Sequence, residues 1–468
     1  MRPILTQLGA LAVGPVPEGV RAGIPSRIID IVGIAVRASS LDTSQAAIGF
    51  AADQCSAPQA TPIGGGRAMS APEAAFVNGV LAHSLDYDDT HLPSILHPSA
   101  TVVPASLAVA EWQGASGPAL IDAVAAGLEV TVRLGMGGYD SRARQSVYFE
   151  RGQHATSICG AVGSAAAAAR LLGADADGIA HAMGIACSMS SGIIEANRAG
   201  GTVKRLHCGW AARAGVTAAQ LALRGITGPP TAVEGRFGLF QAFLGDQADF
   251  EAVTADLGER WEAENIFYKP YPANHFTHTG IDAAIALRSR GVRVDDIANA
   301  TLEVAPPTVR TIGEPIEAKR KPETGYHAQF SGPYTVAAGL LGGGGLGVGL
   351  DDFTDELACD PTRRDLMARV DVVGDPRLMA IYPCQLPARL TLTTTSGHTL
   401  VEEALANRGG PDQPLSDDEL ATKFADNTAG LVADNVADRI YEDLSDLASA
   451  LCVTGMLAPL LDPIGKQP

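Results

Sequence analysis

Between positions 83 and 97 the chain carries His83, Asp86, Asp88, Asp89, Thr90, His91 and His97, a dense run of imidazoles and carboxylates with a hydroxyl among them. Such groups exchange protons near neutral pH once their neighbours shift their pKa values. The stretch therefore points to acid–base chemistry. If residues 86–90 are helical, the i,i+4 spacing puts the Asp86 carboxylate and the Thr90 hydroxyl on one face. The alternative is a helix end with solvated carboxylates and a capping aspartate. His97 precedes Pro98 and a new helix, where the positive helix end favours a neutral imidazole. His83, Asp88 and His91 read as scaffold around Asp86, Thr90 and His97.

Three more clusters lie downstream. His154 stands in Arg151-Gly-Gln-His-Ala-Thr156, on the approach to an alanine-rich helix. Lys204, Arg205 and His207 fall in Gly200-Gly-Thr-Val-Lys-Arg-Leu-His-Cys-Gly209. A glycine-lined basic loop suits carboxylates, since it offers both charge and backbone N–H groups. Lys269, His275 and His278 occupy Lys269-Pro-Tyr-Pro-Ala-Asn-His-Phe-Thr-His278, at a change in chain character where a ligand cleft between domains is expected. A surface basic patch and a proline-rich linker are the plain alternatives for the last two.

The elements that must carry these residues are mostly helices. Small apolar residues recur at three-to-four spacing over 75–83, 100–112, 120–134, 161–172, 178–189 and 211–223, which predicts an all-helical region over 1–266. From 267 to 404 the pattern changes to alternating β segments at 300–305, 370–373 and 388–395, the last turning back through Ser396-Gly-His398 into 399–403. One helix is expected near 279–290. Helical periodicity returns after Asp417, over 431–444 and 447–457. The expected organisation is thus mainly α: a helical domain from 1–266 and 405–468, and a smaller α+β domain, 267–404, as an insertion or lid. The glycine run of 342–349 lacks the Gly-Lys-Ser/Thr of a nucleotide loop and reads as a loop ending a helix.

Composition narrows the partners. The 468 residues carry a net charge of −18, with 46% hydrophobic and 18% charged residues, which fits a globular enzyme rather than a disordered chain. The spread acidity argues against nucleic acid and anionic membrane surfaces. The N-terminal apolar run is short and lacks a clear cleavage site, so it does not read as a signal peptide. No stretch is long enough for a membrane span. The 7 cysteines are scattered with no CxxC pair, as expected of reduced thiols in a cytoplasmic protein without a zinc or iron–sulfur site.

Taken together, Asn78-Gly-Val-Leu-Ala-His-Ser-Leu-Asp-Tyr-Asp-Asp-Thr90, His97-Pro-Ser, Gly152-Gln-His154, Thr202-Val-Lys-Arg-Leu-His207 and Lys269-Pro-Tyr-Pro resemble the MmgE/PrpD family in order and spacing. That family includes 2-methylcitrate dehydratases, cis-aconitate decarboxylases and an iminodisuccinate epimerase. The resemblance implies a helical domain built from both chain ends, a lid, a homodimer, and catalysis without metal or organic cofactor. Its active-site groups match Asp86, Thr90, His97, His154, Lys204 and Lys269. Two departures stand out: Asn274 occupies the place of a histidine found in decarboxylating members, and 304–309 contains no counterpart of a tyrosine used by some of them.

The expected function is a cofactor-independent lyase of a small di- or tricarboxylate. His97 and His154 would divide the base and acid roles. Lys204, Lys269 and Arg205 would bind carboxylates, with His275 and His278 beside them. Asp86 and Thr90 would orient an imidazole or a substrate hydroxyl. Dehydration of a 2-methylcitrate-like acid leads, ahead of decarboxylation of a cis-aconitate-like acid and epimerisation of a dicarboxylate. A non-catalytic binding relative is the reading from a different class.

Overall fold

The structure, a computed structural model, describes residues 2–54 and 57–464; Cys55 lies outside them. The chain is mainly α and divides into two compact units, residues 1–266 with 424–468, and residues 267–423.

The first unit is helical because small apolar residues fill every turn of its central segments. Its helices are α1 (Ile4–Val13), α2 (Glu18–Ala38), α3 (Asp42–Ala52), α4 (Ala71–His83), α5 (Ser99–Gln113), α6 (Gly117–Met136), α7 (Ala155–Leu171), α8 (Ala176–Met189) and α9 (Leu206–Ala222). Helix α7 is buried on all sides from Ala155 through Ala169, as a helix apolar all round must be. Its run of alanines keeps the neighbouring helices close. The closest approach that matters for function lies between α4 and α9. A Cβ on Gly79 would come 2.7 Å from the Cα of Gly209, and one on Gly209 would come 2.3 Å from the Phe76 carbonyl oxygen. Only glycine at both positions permits this crossing. Leu5 and Leu8 of α1 are fully buried, so the N-terminal apolar run is a core helix.

The second unit packs α10 (His278–Ser289) and α11 (Gly332–Leu341) with a four-stranded sheet of β1 (Ile297–Val304), β2 (Val370–Gly374), β3 (Ala388–Thr394) and β4 (Thr399–Ala404). The strand order is β2-β1-β3-β4. Strand β1 runs parallel to β2 and antiparallel to β3, with Leu302 opposite Leu390, and β3–β4 is an antiparallel pair. Alternate residues Ala300, Leu302 and Val304 of β1, and Ala388, Leu390 and Leu392 of β3, are buried. That is the period-2 pattern of a sheet with one covered face. The glycine run follows the end of α11 as a loop.

Two boundaries differ from expectation. Residues 405–423 belong to the second unit, not to the helical one. Polar contacts hold them there: the Leu386 N–H donates to the Asn407 side chain (2.6 Å), the Tyr268 N–H to the Gly409 carbonyl (2.9 Å) and Arg408 to the Tyr271 hydroxyl (3.1 Å). Helix α12 (Asp417–Thr428) begins in that unit, and α13 (Asp434–Ser445) follows in the first. The segment 447–457 is not a helix; only a short 3-10 turn, Leu447–Ser449, forms there. Among the described residues no helix is long and apolar enough to cross a membrane.

Candidate active site

The acidic stretch after α4 is a loop, not the helix that would have put Asp86 and Thr90 on one face. The helix ends at His83, and Asp86 takes a left-handed backbone with φ 52°, as does Ile95 with φ 56°. Aspartate tolerates that region and a β-branched isoleucine does not. Such strain persists only where surroundings over-determine the chain, and here they do. Asp88 Oδ2 accepts from the Nδ1–H of His83 at 2.7 Å. Asp89 accepts from Arg27 of α2 at 3.1 Å and from the Ser99 N–H and hydroxyl at the start of α5. Burial pushes the Asp89 carboxyl up to about 6 against the pull of Arg27 and of the Ser99 hydrogen bond.

The same loop fixes His97. Its Nδ1 lies 2.8 Å from the Asp89 carbonyl oxygen and 3.3 Å from Thr90 Oγ1. A carbonyl can only accept, so Nδ1 carries a proton, and in the neutral ring Nε2 holds the lone pair. The His97 N–H donates to Thr156 Oγ1 in the first turn of α7 at 3.1 Å, tying the two helix starts together.

His154 caps the N-terminus of α7, its own N–H donating to the Gly192 carbonyl at 3.1 Å. Its Nδ1 meets His207 Nδ1 in the first turn of α9 at 2.9 Å. One of those nitrogens donates and the other must hold a lone pair, so at least one of the two rings is neutral. His83 completes the group. Ring centroids run His97–His83 5.2 Å, His83–His154 5.4 Å and His154–His207 5.0 Å. Four imidazoles thus form a continuous row.

The helix ends explain their charge. His97, His154 and His207 stand at the starts of α5, α7 and α9, whose positive ends disfavour imidazolium and attract anions. Burial, with His83, Lys204, His207 and His97 nearby, holds His154 well below the usual imidazole range. Burial, then His83 and Lys204, pulls His207 down to about 4.

Lys204 brings the cation to this row. It sits in the 3-10 turn Val203–Arg205 that leads into α9, with Nζ 3.6 Å from Asp86 Oδ1. The first unit therefore gathers Asp86, Thr90, His97, His154 and Lys204 from distant segments. Arg205, in the same turn, donates to Thr43 Oγ1 at 3.0 Å. Lys269, His275 and His278 are buried in the second unit. There the His275 and His278 rings stack at 4.4 Å, and His278 Nε2 donates to the Ala273 carbonyl at 3.1 Å. Asn274 caps its turn, accepting from the Phe276 N–H at 3.1 Å.

His83, read from sequence as scaffold, lies inside the row, and Asp88, read the same way, accepts from its ring. His207 was read only as part of a basic loop. Nothing local marks them; their position depends on the α4–α9 crossing. His91 is hydrogen-bonded to Ser94 Oγ at 2.7 Å, and burial lowers its imidazole to about 4. Among the described residues no three His, Cys, Asp or Glu side chains are disposed to hold a metal ion.

Comparison with known proteins gives two matches that span most of the chain. Residues 7–251 match the MmgE/PrpD N-terminal domain and residues 271–447 the MmgE/PrpD C-terminal domain. Cis-aconitate decarboxylase of Homo sapiens is 30% identical over 399 residues, covering 82% of this chain and 79% of the relative. The Mus musculus cis-aconitate decarboxylase is 30% identical over 400 residues, covering 82% and 78%. A cis-aconitate decarboxylase-like protein of Aspergillus oryzae is 28% identical over 420 residues, covering 85% and 83%.

Proposed function

The chain belongs to the MmgE/PrpD family, and from that premise we propose that it is a cofactor-independent lyase acting on a small di- or tricarboxylate. The observation that carries this reading is the row of imidazoles beside Lys204. Three of the four stand at positive helix ends, and His97 is held in the tautomer that leaves Nε2 for proton transfer. Substrate carboxylates would be held by the Lys204 ammonium and by the starts of α5, α7 and α9. His97 would move the proton on the carbon next to a bound carboxylate. Lys204 would stabilise the charge that builds there, and Asp86 would orient Lys204.

The relatives' names support decarboxylation of a cis-aconitate-like acid as the first reading. The bond from carbon to the departing carboxylate breaks and carbon dioxide leaves, the electron pair spreads toward the remaining carboxylates, and a proton that His97 Nε2 takes up from solvent passes to carbon, which restores the neutral ring. A second reading is the dehydration of a 2-methylcitrate-like acid. It is favoured by Asn274, which stands where a decarboxylase would carry a histidine and spends its side-chain oxygen on a local turn. The chain is proposed to act as a homodimer in the cytoplasm. Incubation with cis-aconitate, citrate and 2-methylcitrate, followed by proton NMR and carbon dioxide release, separates the two reactions. Turnover of none of these, nor of any other small di- or tricarboxylate, would remove the lyase reading.

A further inference from the structure

His83 occupies the middle of the row, between His97 and His154, and the lyase chemistry gives it no step of its own. Its side chain is 1% exposed, and its Nδ1 lies 2.7 Å from the Asp88 carboxylate, itself fully buried. Its Nε2 is buried with no hydrogen-bond partner among the described residues. A polar nitrogen left in that state costs free energy, so a ring of pure packing would be better served by phenylalanine or leucine. The rings on either side are tilted by 53° for His97 and 34° for His154. The Asp88 oxygen that holds His83 also lies 3.9 Å from His97 Nδ1.

His83 differs from its three neighbours in one further respect. It ends helix α4, so it faces the negative end of a helix dipole, while His97, His154 and His207 face positive ends. Of the four imidazoles it is the one whose ring N–H is held by a buried carboxylate, that of Asp88. Any charge it carries works against a second proton on His154. The groups around it are Asp88 from the loop, His97 before α5, His154 at the head of α7 and His207 in the first turn of α9, with Lys204 acting on the last two.

We propose that His83, held on Asp88, is the positioning residue of this site: it fixes the orientation of His97 and His154 and keeps His154 and His207 from taking up a proton. It acts through those rings and not on the substrate. The proposal deepens the lyase reading and rests on it only where turnover is measured.

The test uses the full chain with nitrogen-15-labelled histidine. In the wild type, the Nδ1 proton of His83 must be observed, bonded to Asp88; an unprotonated Nδ1 overturns the proposal without any variant. In His83→Asn, which keeps a donor toward Asp88 and removes the ionisable ring, the titration of His154 moves to higher pH. A folded His83→Asn in which His154 titrates as in the wild type overturns it. If that variant does not fold, His83→Gln is read the same way. These signals need no substrate, so they stand even if the lyase reading fails. On a turned-over acid, His83→Asn lowers kcat by about a hundredfold, the loss expected when a reacting group is misplaced, while KM stays near the wild-type value. A KM defect with unchanged kcat would instead mark His83 as a substrate contact and overturn the positioning role.

Discussion

Gly79 and Gly209 touch where α4 crosses α9, with room for no Cβ on either. His83 lies one turn beyond Gly79 on α4, and His207 lies two residues before Gly209 on α9. The crossing therefore sets the length of the imidazole row. Two residues without side chains determine the spacing of residues that carry the chemistry.

Gly209→Ala drives its Cβ into the Phe76 carbonyl, and backbone cannot swing aside as a side chain tip can. It is expected to lower unfolding free energy by about 1–3 kcal/mol. Gly49→Ala in α3 meets nothing within 4 Å and should instead stabilise by about 0.5–1 kcal/mol. Urea unfolding of both variants checks the contrast.

His207 gives a pH signature. Its proton affinity falls from the usual 6.5 to about 4 on folding, so between those values the unfolded chain binds more protons than the folded one. Its contribution to stability is complete above 6.5 and is lost as pH falls toward 4. The stability of the wild type relative to His207→Asn should drop by at most about 1.4 kcal/mol per pH unit through that window. Denaturant unfolding of the two proteins at pH 7, 6 and 5 measures it; a pH-independent difference contradicts the buried neutral ring.

Much of this architecture was legible in the sequence, for a physical reason. Alanine and valine at helical spacing can bury only as helices, and residues 388–395 and 399–403 alternate as a hairpin must. The loop at 86–90 was not legible, because its left-handed Asp86 depends on Arg27 and Ser99 pulling Asp89 from distant helices. His83 looked like scaffold because its ring neighbours come from the starts of two other helices. The segment 405–423 carries too few apolar residues to show which unit it joins.

Lys204→Met removes the ammonium while keeping an apolar stem of similar length. A charge-assisted hydrogen bond contributes about 1.5–3 kcal/mol, so the affinity for a tricarboxylate should fall roughly ten- to a hundredfold. Calorimetric titration with citrate reads this directly. Unchanged affinity would place the carboxylate elsewhere.

The central claim is that His97 moves the proton in a lyase reaction on a small di- or tricarboxylate. Wild type and His97→Gln, each shown to be folded by circular dichroism, are incubated with cis-aconitate, citrate and 2-methylcitrate and followed by proton NMR. The wild type is expected to convert one of these acids, and His97→Gln to do so at least about a hundredfold more slowly. Equal rates for the two proteins would contradict it.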